Sequence, residues 1–321
     1  MSAVRNFSIR AIQLRDNRVI ELGNIVLLDI GASLSSPARD FSGVFAADPF
    51  PFELGSVTVR DSDRNRVIFS GQIDSQRSII SDRGKLLRID ARSRGALLLD
   101  NQAKPEILTH VQMATAFNLF ARPYGFTLFN PQPPKALATY TVRAGISEWE
   151  ALSGYSQRAF GITPFVEEDA VIINRPSSHT VINISNTGDG LRFTRLESAY
   201  IPYSIISDII LRGPDGIYDS SVHNSASRFH GTRRRRFIVP SNEFVDSSSL
   251  DANQRIRRSM LDSQSVLVTL TGFVDLPIGQ QVAILDSSFS MHNLLIGERR
   301  WILDENGSVT KLRLISSVYY D

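Results

Sequence analysis

Alternation of apolar and polar residues dominates both ends of this chain and gives way in the middle to helical spacing. At the start, Phe7, Ile9 and Ala11 alternate, and Val19 to Ile30 supplies two short apolar runs split by Gly23. The stretch Gly55 to Ile89 then recurs, diverged, as Gly279 to Leu314. In each copy a glycine opens an alternating strand, Val57 and Val59 or Val282 and Ile284, which ends on Asp61 or Asp286. A second apolar run, Val67 to Phe69 or Leu294 to Ile296, closes on Gly71 or Gly297. A third strand follows a turn carrying Asp82 and Gly84, or Asp304, Asn306 and Gly307. Period-two patterning bounded by Gly, Asp and Asn predicts antiparallel strands joined by tight turns, so each copy reads as half of a small barrel or sandwich. Gly55, Gly71, Gly279 and Gly297 define the repeat. Two copies about 225 residues apart are too distant for a solenoid, and they predict one chain with two similar β-domains.

Before the first copy, residues 38–55 carry Phe50 and Phe52 among Pro49 and Pro51 and read as an irregular excursion, because proline removes ladder donors. Its Phe/Pro tip is a candidate contact site. Two capping-box patterns follow, Thr109 with Gln112 and Ser147 with Glu150, each predicting the start of a short helix. Pro123-Tyr124-Gly125 stops the first helix and Gly161 the second. Phe126–Phe129 and Thr163–Glu167 read as strands, the latter in a hairpin through Glu168-Asp169, and Asn130–Pro134 as a stiff extended connector. Farther on, Ser204–Leu211 reads as a long strand, Ser220–Arg236 as a polar loop, and Asp251–Met260 as a helix with Ala252, Ile256 and Met260 on one stripe. The expected division is 1–98, mainly β; 99–180, a small α+β module with two short helices; and 181–321, mainly β with a short helix.

Composition adds little that is specific. A chain of 321 residues with 42% hydrophobic and 21% charged residues buries an ordinary core, and its length suits two or three domains. A formal net charge of +2 is weak support for a nucleic-acid partner. The absence of cysteine excludes disulfides, thiolate metal sites and a Cys nucleophile. Met1–Arg10 lacks an apolar signal core and no run of 18 apolar residues occurs, so neither secretion nor a membrane span is expected.

Catalytic chemistry is hard to find. The histidines at 110, 179, 223, 230 and 292 lack ligand spacing, and no nucleophile elbow, phosphate loop or dinucleotide fingerprint is present, so no metal, cofactor or catalytic residue is expected. Glu167, Glu168 and Asp169 offer carboxylates for glycoside hydrolysis, but a hairpin tip favours a solvated turn. Arg233, Arg234, Arg235 and Arg236 form the sharpest local feature. Clustered guanidinium groups attract polyanions, yet no aromatic interleaving accompanies them and the remaining charge is balanced. A subunit seam, where Arg pairs bidentately with carboxylates, is the favoured reading.

The order of these elements resembles the baseplate hub proteins of contractile phage tails, the late-control-D and Mu-like hub family, whose fold also forms the base of the type VI secretion protein VgrG. Val142-Arg143-Ala144-Gly145 followed by Ser147–Leu152 is similar to that family's central stretch, and Phe165–Ile172 to the hairpin after it. Leu267–Gly272, Leu276–Val282 and Thr310–Leu314 resemble its last barrel. The resemblance implies two tail-tube-like β-barrel domains flanking a central two-helix domain. It also implies a non-enzymatic homotrimer with two barrels per chain, a pseudo-hexameric ring joining a six-fold tail tube to a three-fold central spike. Expected partners are the tail tube protein, the spike protein and other baseplate proteins, with passive DNA passage through the lumen and assembly in the host cytoplasm into a virion tail. No spike repeat or lysozyme-like segment is recognised in the sequence, so separate proteins are expected to supply the tip and any lysin. The alternatives are a hub of a non-contractile tail tip that anchors a tail lysin, a glycan-active enzyme and a nucleic-acid binder.

Overall fold

The computed structural model describes residues 7–82, 84–174, 180–213, 215–231, 233–239 and 248–320. The alternation at the start of the chain forms β1 (Phe7–Gln13), which turns Phe7, Ile9, Ala11 and Gln13 to one face, the last three buried, and Ser8, Arg10 and Ile12 to the other. Then follow β2 (Val19–Glu21), β3 (Ile25–Ser33), β4 (Asp40–Ala46), β5 (Leu54–Asp61), β6 (Arg66–Ser81) and β7 (Gly84–Ser93). The excursion expected over 38–55 is shorter than the sequence suggests. Asp40–Ala46 is a regular strand with Phe41 and Phe45 buried, and beyond 38–39 only 47–53 is irregular. Both prolines lie beyond the ladder of β4, where no donor is needed.

The middle of the chain has its own core. It comprises α1 (Ala96–Asp100), β8 (Glu106–Gln112), α2 (Met113–Phe120), β9 (Thr127–Phe129), β10 (Ala136–Val142), α3 (Glu148–Phe160), β11 (Phe165–Glu167) and β12 (Ala170–Ile172). The Ser147 capping box forms as expected: Glu150 N donates to Ser147 Oγ, and the Glu150 carboxylate accepts from Ser147 N. The Thr109 box does not form. Thr109 lies inside β8, opposite Thr139 of β10, and α2 begins at Met113 with no side-chain cap. Pairing with β10 satisfies the backbone that the cap would have served. Tyr140 and Tyr155 meet edge to face in this core, Tyr140 donating to Ala151 O at 2.5 Å and Tyr155 to Val111 O at 2.9 Å.

The last part contains β13 (Ile182–Ile184), β14 (Phe193–Tyr200), β15 (Asp208–Arg212), β16 (Tyr218–His223), β17 (Arg235–Ile238), α4 (Ser248–Ser263), β18 (Gln264–Thr271), β19 (Gln281–Leu285), β20 (Ser290–Asp304) and β21 (Gly307–Ser316). The expected loop over 220–236 is partly ordered into strands. β16 and β17 flank β15, and Ile209 and Leu211 of β15 pack on Ala252 and Ile256 of α4. The long strand expected at Ser204–Leu211 shrinks to β15, because Pro202–Ser204 is a short 3-10 turn. The chain is thus mainly β with a small helical module.

Thirteen strands belong to one sheet, whose path runs β14-β18-β21-β20-β3-β4-β7-β6-β5-β1-β2, with β19 on β20 and β13 on β19. It wraps two separate cores. Ile9, Phe41, Phe45, Val57, Phe69 and Ile89 lie in the first, and Val266, Leu270, Ile284, Leu294 and Leu314 in the second. Among the described residues no helix is long and apolar enough to cross a membrane.

Candidate assembly interface

The two halves of the sheet repeat one connection order. Reading across the N-terminal half gives β1-β5-β6-β7-β4-β3, and across the C-terminal half β13-β19-β20-β21-β18-β14. Each strand of the first series therefore has a counterpart in the second, in the same chain order. Local irregularities match as well. A register shift falls between Ile25 and Leu27 where β3 meets β4, and between Phe193 and Arg195 where β14 meets β18. Another falls between Ile73 and Ser75 on β6, and between Ile296 and Glu298 on β20. The hairpins beyond them close on Ser81 with Gly84 and Asp304 with Gly307. One departure is the parallel pairing of β13 with β19, where β1 runs antiparallel to β5.

The four repeat-defining glycines do not coincide in this register. Gly71 faces Ser93, as Leu294 faces Ser316, whereas Gly297 is the residue skipped at its register shift, as Asp74 is at its own. A Cβ on Gly71 would lie 2.3 Å from Arg92 O, so close approach of β7 requires a glycine there. Gly55 lies within β5, while Gly279 is left-handed (φ 80°) in the turn before β19. Sequence alignment by glycines is therefore about three residues out of step with the strands, and bulge position is the better guide.

The halves are joined edge to edge. β3 runs antiparallel to β20 from Ser33 opposite Glu298 to Leu28 opposite Leu303. On the polar face Arg300 Nε reaches Asp29 Oδ1 at 2.7 Å, and its Nη2 reaches Asp40. On the other face the C-terminal half sends two aromatics into the N-terminal core: Trp301, 3% exposed, and Phe273, whose ring meets Phe7 edge-on at 4.8 Å. Trp301 Nε1 donates to Val274 O at 3.0 Å, which fixes the β18–β19 loop against this seam. Arg66 pairs with Asp275 of the same loop. Arg299, 7% exposed, lies 3.9 Å from the centre of the Trp301 ring and donates to Leu276 O at 2.5 Å. Burial pushes its guanidinium down to about 10, an offset that Asp275 at 3.5 Å only partly opposes.

Apart from the three-residue strands β2 and β13, which also lack an outer partner strand among the described residues, two long edges of this sheet are open. Beyond β14, and beside β6 past the end of β5, no strand pairs among the described residues. Both carry apolar groups in water, including Ile79 and Ile80 on β6 and Tyr200 on β14. Natural sheets blunt exposed edges with charge, proline or cover, so bare isoleucines mark an edge meant to be covered.

The other candidates are scattered. Phe50 is half-buried against the first core, whereas Phe52 is 61% exposed with Arg15 over its ring at 5.4 Å. Arg235 and Arg236 are consecutive in β17 and so point to opposite faces, while Arg234 lies over Tyr203, and Arg233 is exposed. The run thus forms no single patch. Aromatics do stand beside the run: Phe237, the residue after Arg236, meets Tyr218 edge to face at 5.5 Å on the same small sheet. Asp169 is paired with Arg94 at 3.0 Å and Glu168 takes the left-handed turn position (φ 53°), so these carboxylates serve the hairpin. His223 Nδ1 lies 2.7 Å from Asp208 Oδ1 and His230 Nδ1 2.7 Å from Tyr200 Oη, while His179 lies outside the described residues. Among the described residues no group of His, Cys, Asp or Glu is arranged to hold a metal.

No protein-family model matches the sequence, and no curated protein matches it. Solved structures do match its fold. A tail protein from Neisseria meningitidis MC58 is 18% identical, with TM-score 0.78 over 99% of this chain and 98% of its own. The 43 kDa tail protein of prophage MuSo2 from Shewanella oneidensis is 16% identical, with TM-score 0.79 over 99% of this chain and 100% of its own. An Escherichia coli component of the type VI secretion system, described as structurally similar to T4 bacteriophage tail proteins, is 10% identical, with TM-score 0.58 over 98% of this chain and 78% of its own. The chain has the fold of these phage-tail and secretion-system proteins.

Proposed function

We propose that this chain is a structural baseplate hub of a phage or phage-like tail. Three copies, each with two similar β halves, form a ring with six nearly equivalent sectors toward the tail tube and three-fold symmetry toward the central spike. The observation that carries this reading is the repeated strand order joined head to tail. β3 of the first half meets β20 of the second, and the same kind of contact, repeated around an axis, generates a closed ring. The likeness in fold to phage tail proteins supports the setting. On this reading 1–98 and 181–321 are the two ring-forming domains and 99–180 is the module outside the ring.

The protein acts by shape, with no turnover and no cofactor. Its partners are its own copies, the tube protein, the spike protein and other baseplate proteins. The charged face that carries Asp29, Asp40, Arg300, Lys311 and Arg313 lines the channel, and its mixed sign lets DNA pass without holding it. Phe50 and Phe52, and the cations Arg233, Arg234, Arg235 and Arg236, are contacts to neighbouring subunits. Native mass measurement of the purified chain, alone and with its tube partner, tests the reading. A trimer is expected in at least one of the two, and a monomer or dimer in both would overturn it.

A further inference from the structure

The repeat assigns a partner to each open edge. Matching the strands by their register shifts and hairpin turns sets Arg300, Trp301 and Leu303 of β20 over Arg77, Ser78 and Ile80 of β6. The same matching sets Leu28, Asp29, Ile30 and Gly31 of β3 over Leu196, Glu197, Ser198 and Ala199 of β14. Within the chain β20 and β3 are paired, whereas their counterparts β6 and β14 are both open on the corresponding edges.

We infer that the open edge of β6 receives β14 of a second copy of this chain, antiparallel, with Arg77 opposite Ala199, Ser78 opposite Ser198 and Ile80 opposite Leu196. This inference rests on the ring reading above and names the contact that closes it. Three observations fit the same register. Arg300 is paired with Asp29 across the internal seam, and the matching residues are again a cation and a carboxylate, Arg77 and Glu197, both exposed in the single chain. Ile80, 73% exposed, stands where Leu303 is half-buried against the first core, so the contact covers the most exposed isoleucine of the edge. The loop braces also correspond. Arg299 donates to Leu276 O in the β18–β19 loop, and its counterpart Gln76 donates through Nε2 to Pro51 O in the β4–β5 loop at 3.4 Å. The first loop lies on the neighbouring half through Phe273, and so the second, with exposed Phe52, lies on the neighbouring copy.

The sequence has no cysteine, which makes the register directly testable. Two double variants are prepared, Arg77→Cys with Ala199→Cys and Ser78→Cys with Ser198→Cys. Successive pairs of an antiparallel ladder alternate in spacing, so one of the two sits at the closer Cα separation of about 4.5 Å, within disulfide reach. Mild oxidation is expected to convert most of that variant into reducible covalent dimer and trimer, while the offset control Arg77→Cys with Thr194→Cys stays monomeric on a denaturing gel. Separately, Arg77→Glu is expected to weaken self-association about tenfold, and Glu197→Arg in the same chain to restore it. All these positions are exposed in the single chain and all but Ala199 are charged or polar, and melting curves matching the parent confirm that each variant folds. Native mass is read on the same samples. Trimers with in-register crosslinks support both readings. Trimers without crosslinks overturn this contact and leave the hub reading standing, a partner strand of another protein then being the occupant of the edge. In-register crosslinks in a particle other than a trimer support the contact and overturn the three-fold ring. A chain that stays monomeric with and without tube protein overturns both.

Discussion

Trp301→Ala tests whether the internal seam is what makes two β halves one body. The indole is 3% exposed in a core that, apart from Trp301, Phe273 and the flanking Leu303, is built by the N-terminal half. Removing it deletes the edge-on contact with Phe273 at 6.1 Å and the bond to Val274 O at 3.0 Å, and it uncovers Arg299. Truncating a buried Trp to Ala costs about 3–5 kcal/mol, and burying its ring contributes a similar amount at roughly 25 cal/mol per Å² over about 200 Å². An unbonded Val274 carbonyl adds on the order of 1 kcal/mol where it stays dry. A loss of about 4 kcal/mol corresponds to a melting midpoint lower by roughly 6 °C, at about 2.1 cal/mol/K per residue for a 321-residue chain that melts as one unit. Only two tryptophans exist, so a Trp149→Phe background makes Trp301 the sole indole reporter of the seam in the parent. Calorimetry then compares the Ala variant with the parent. The expected result is a lower midpoint and two separate transitions in place of one. A single transition within about 2 °C of the parent would refute the idea that Trp301 couples the halves.

Other predictions follow from single contacts. Ser147→Ala removes a fully formed capping box and should lower stability by about 1 kcal/mol in urea denaturation, with no change from Thr109→Ala at the other capping pattern beyond a few tenths. Burial pushes the Tyr155 hydroxyl up to about 12 and raises Tyr320 and Tyr124 as well, so the alkaline absorbance titration should show late phenols whose number falls by one in Tyr155→Phe, a variant also weaker by about 1 kcal/mol through the orphaned carbonyls of Val111 and Lys135. Asp208 is held below its ordinary value of 3.8 by its bond to His223 and then by Ser207. A lowered carboxylate stabilises the fold above the unfolded value and loses that contribution as pH falls through the folded one. The stability gap between parent and Asp208→Asn, followed by melting, should therefore be full at pH 6 and shrink as the pH is taken below 3.8. A gap that widens in acid would reverse the assignment.

What could be read from the sequence was local. The alternation of β1, β5 and β18 is visible because one face of each strand is buried and the other solvated. Ala252, Ile256 and Met260 announce α4, since a stripe at helical spacing has few other uses. The seam was invisible because its partners, Asp29 and Arg300 among them, lie far apart along the chain and carry no joint pattern. β8 was read as the approach to a helix because Thr109 and Gln112 satisfy the spacing of a cap. Only the presence of β10 opposite decides that the backbone there is already bonded. The small sheet holding the arginine run reads as a loop for a similar reason, since Ser220–Arg236 is mostly polar and its one apolar contact toward α4, Val222, makes no alternating run. Glycines drew attention to the duplication but mislaid its register, because one is needed for close packing of strands and another sits at a skipped position.

The continuity of β3 with β20 has a kinetic side. A tethered contact forms at an effective concentration set by the connection, in the millimolar range for short flexible tethers, and an ordered module holding both halves together raises it further. Dilution therefore cannot undo this contact, whereas a junction between separate molecules weakens with it. In the proposed ring of three copies, fusing two sectors into one polypeptide cuts the associations required from five to two, and leaves their timing to a single kind of encounter.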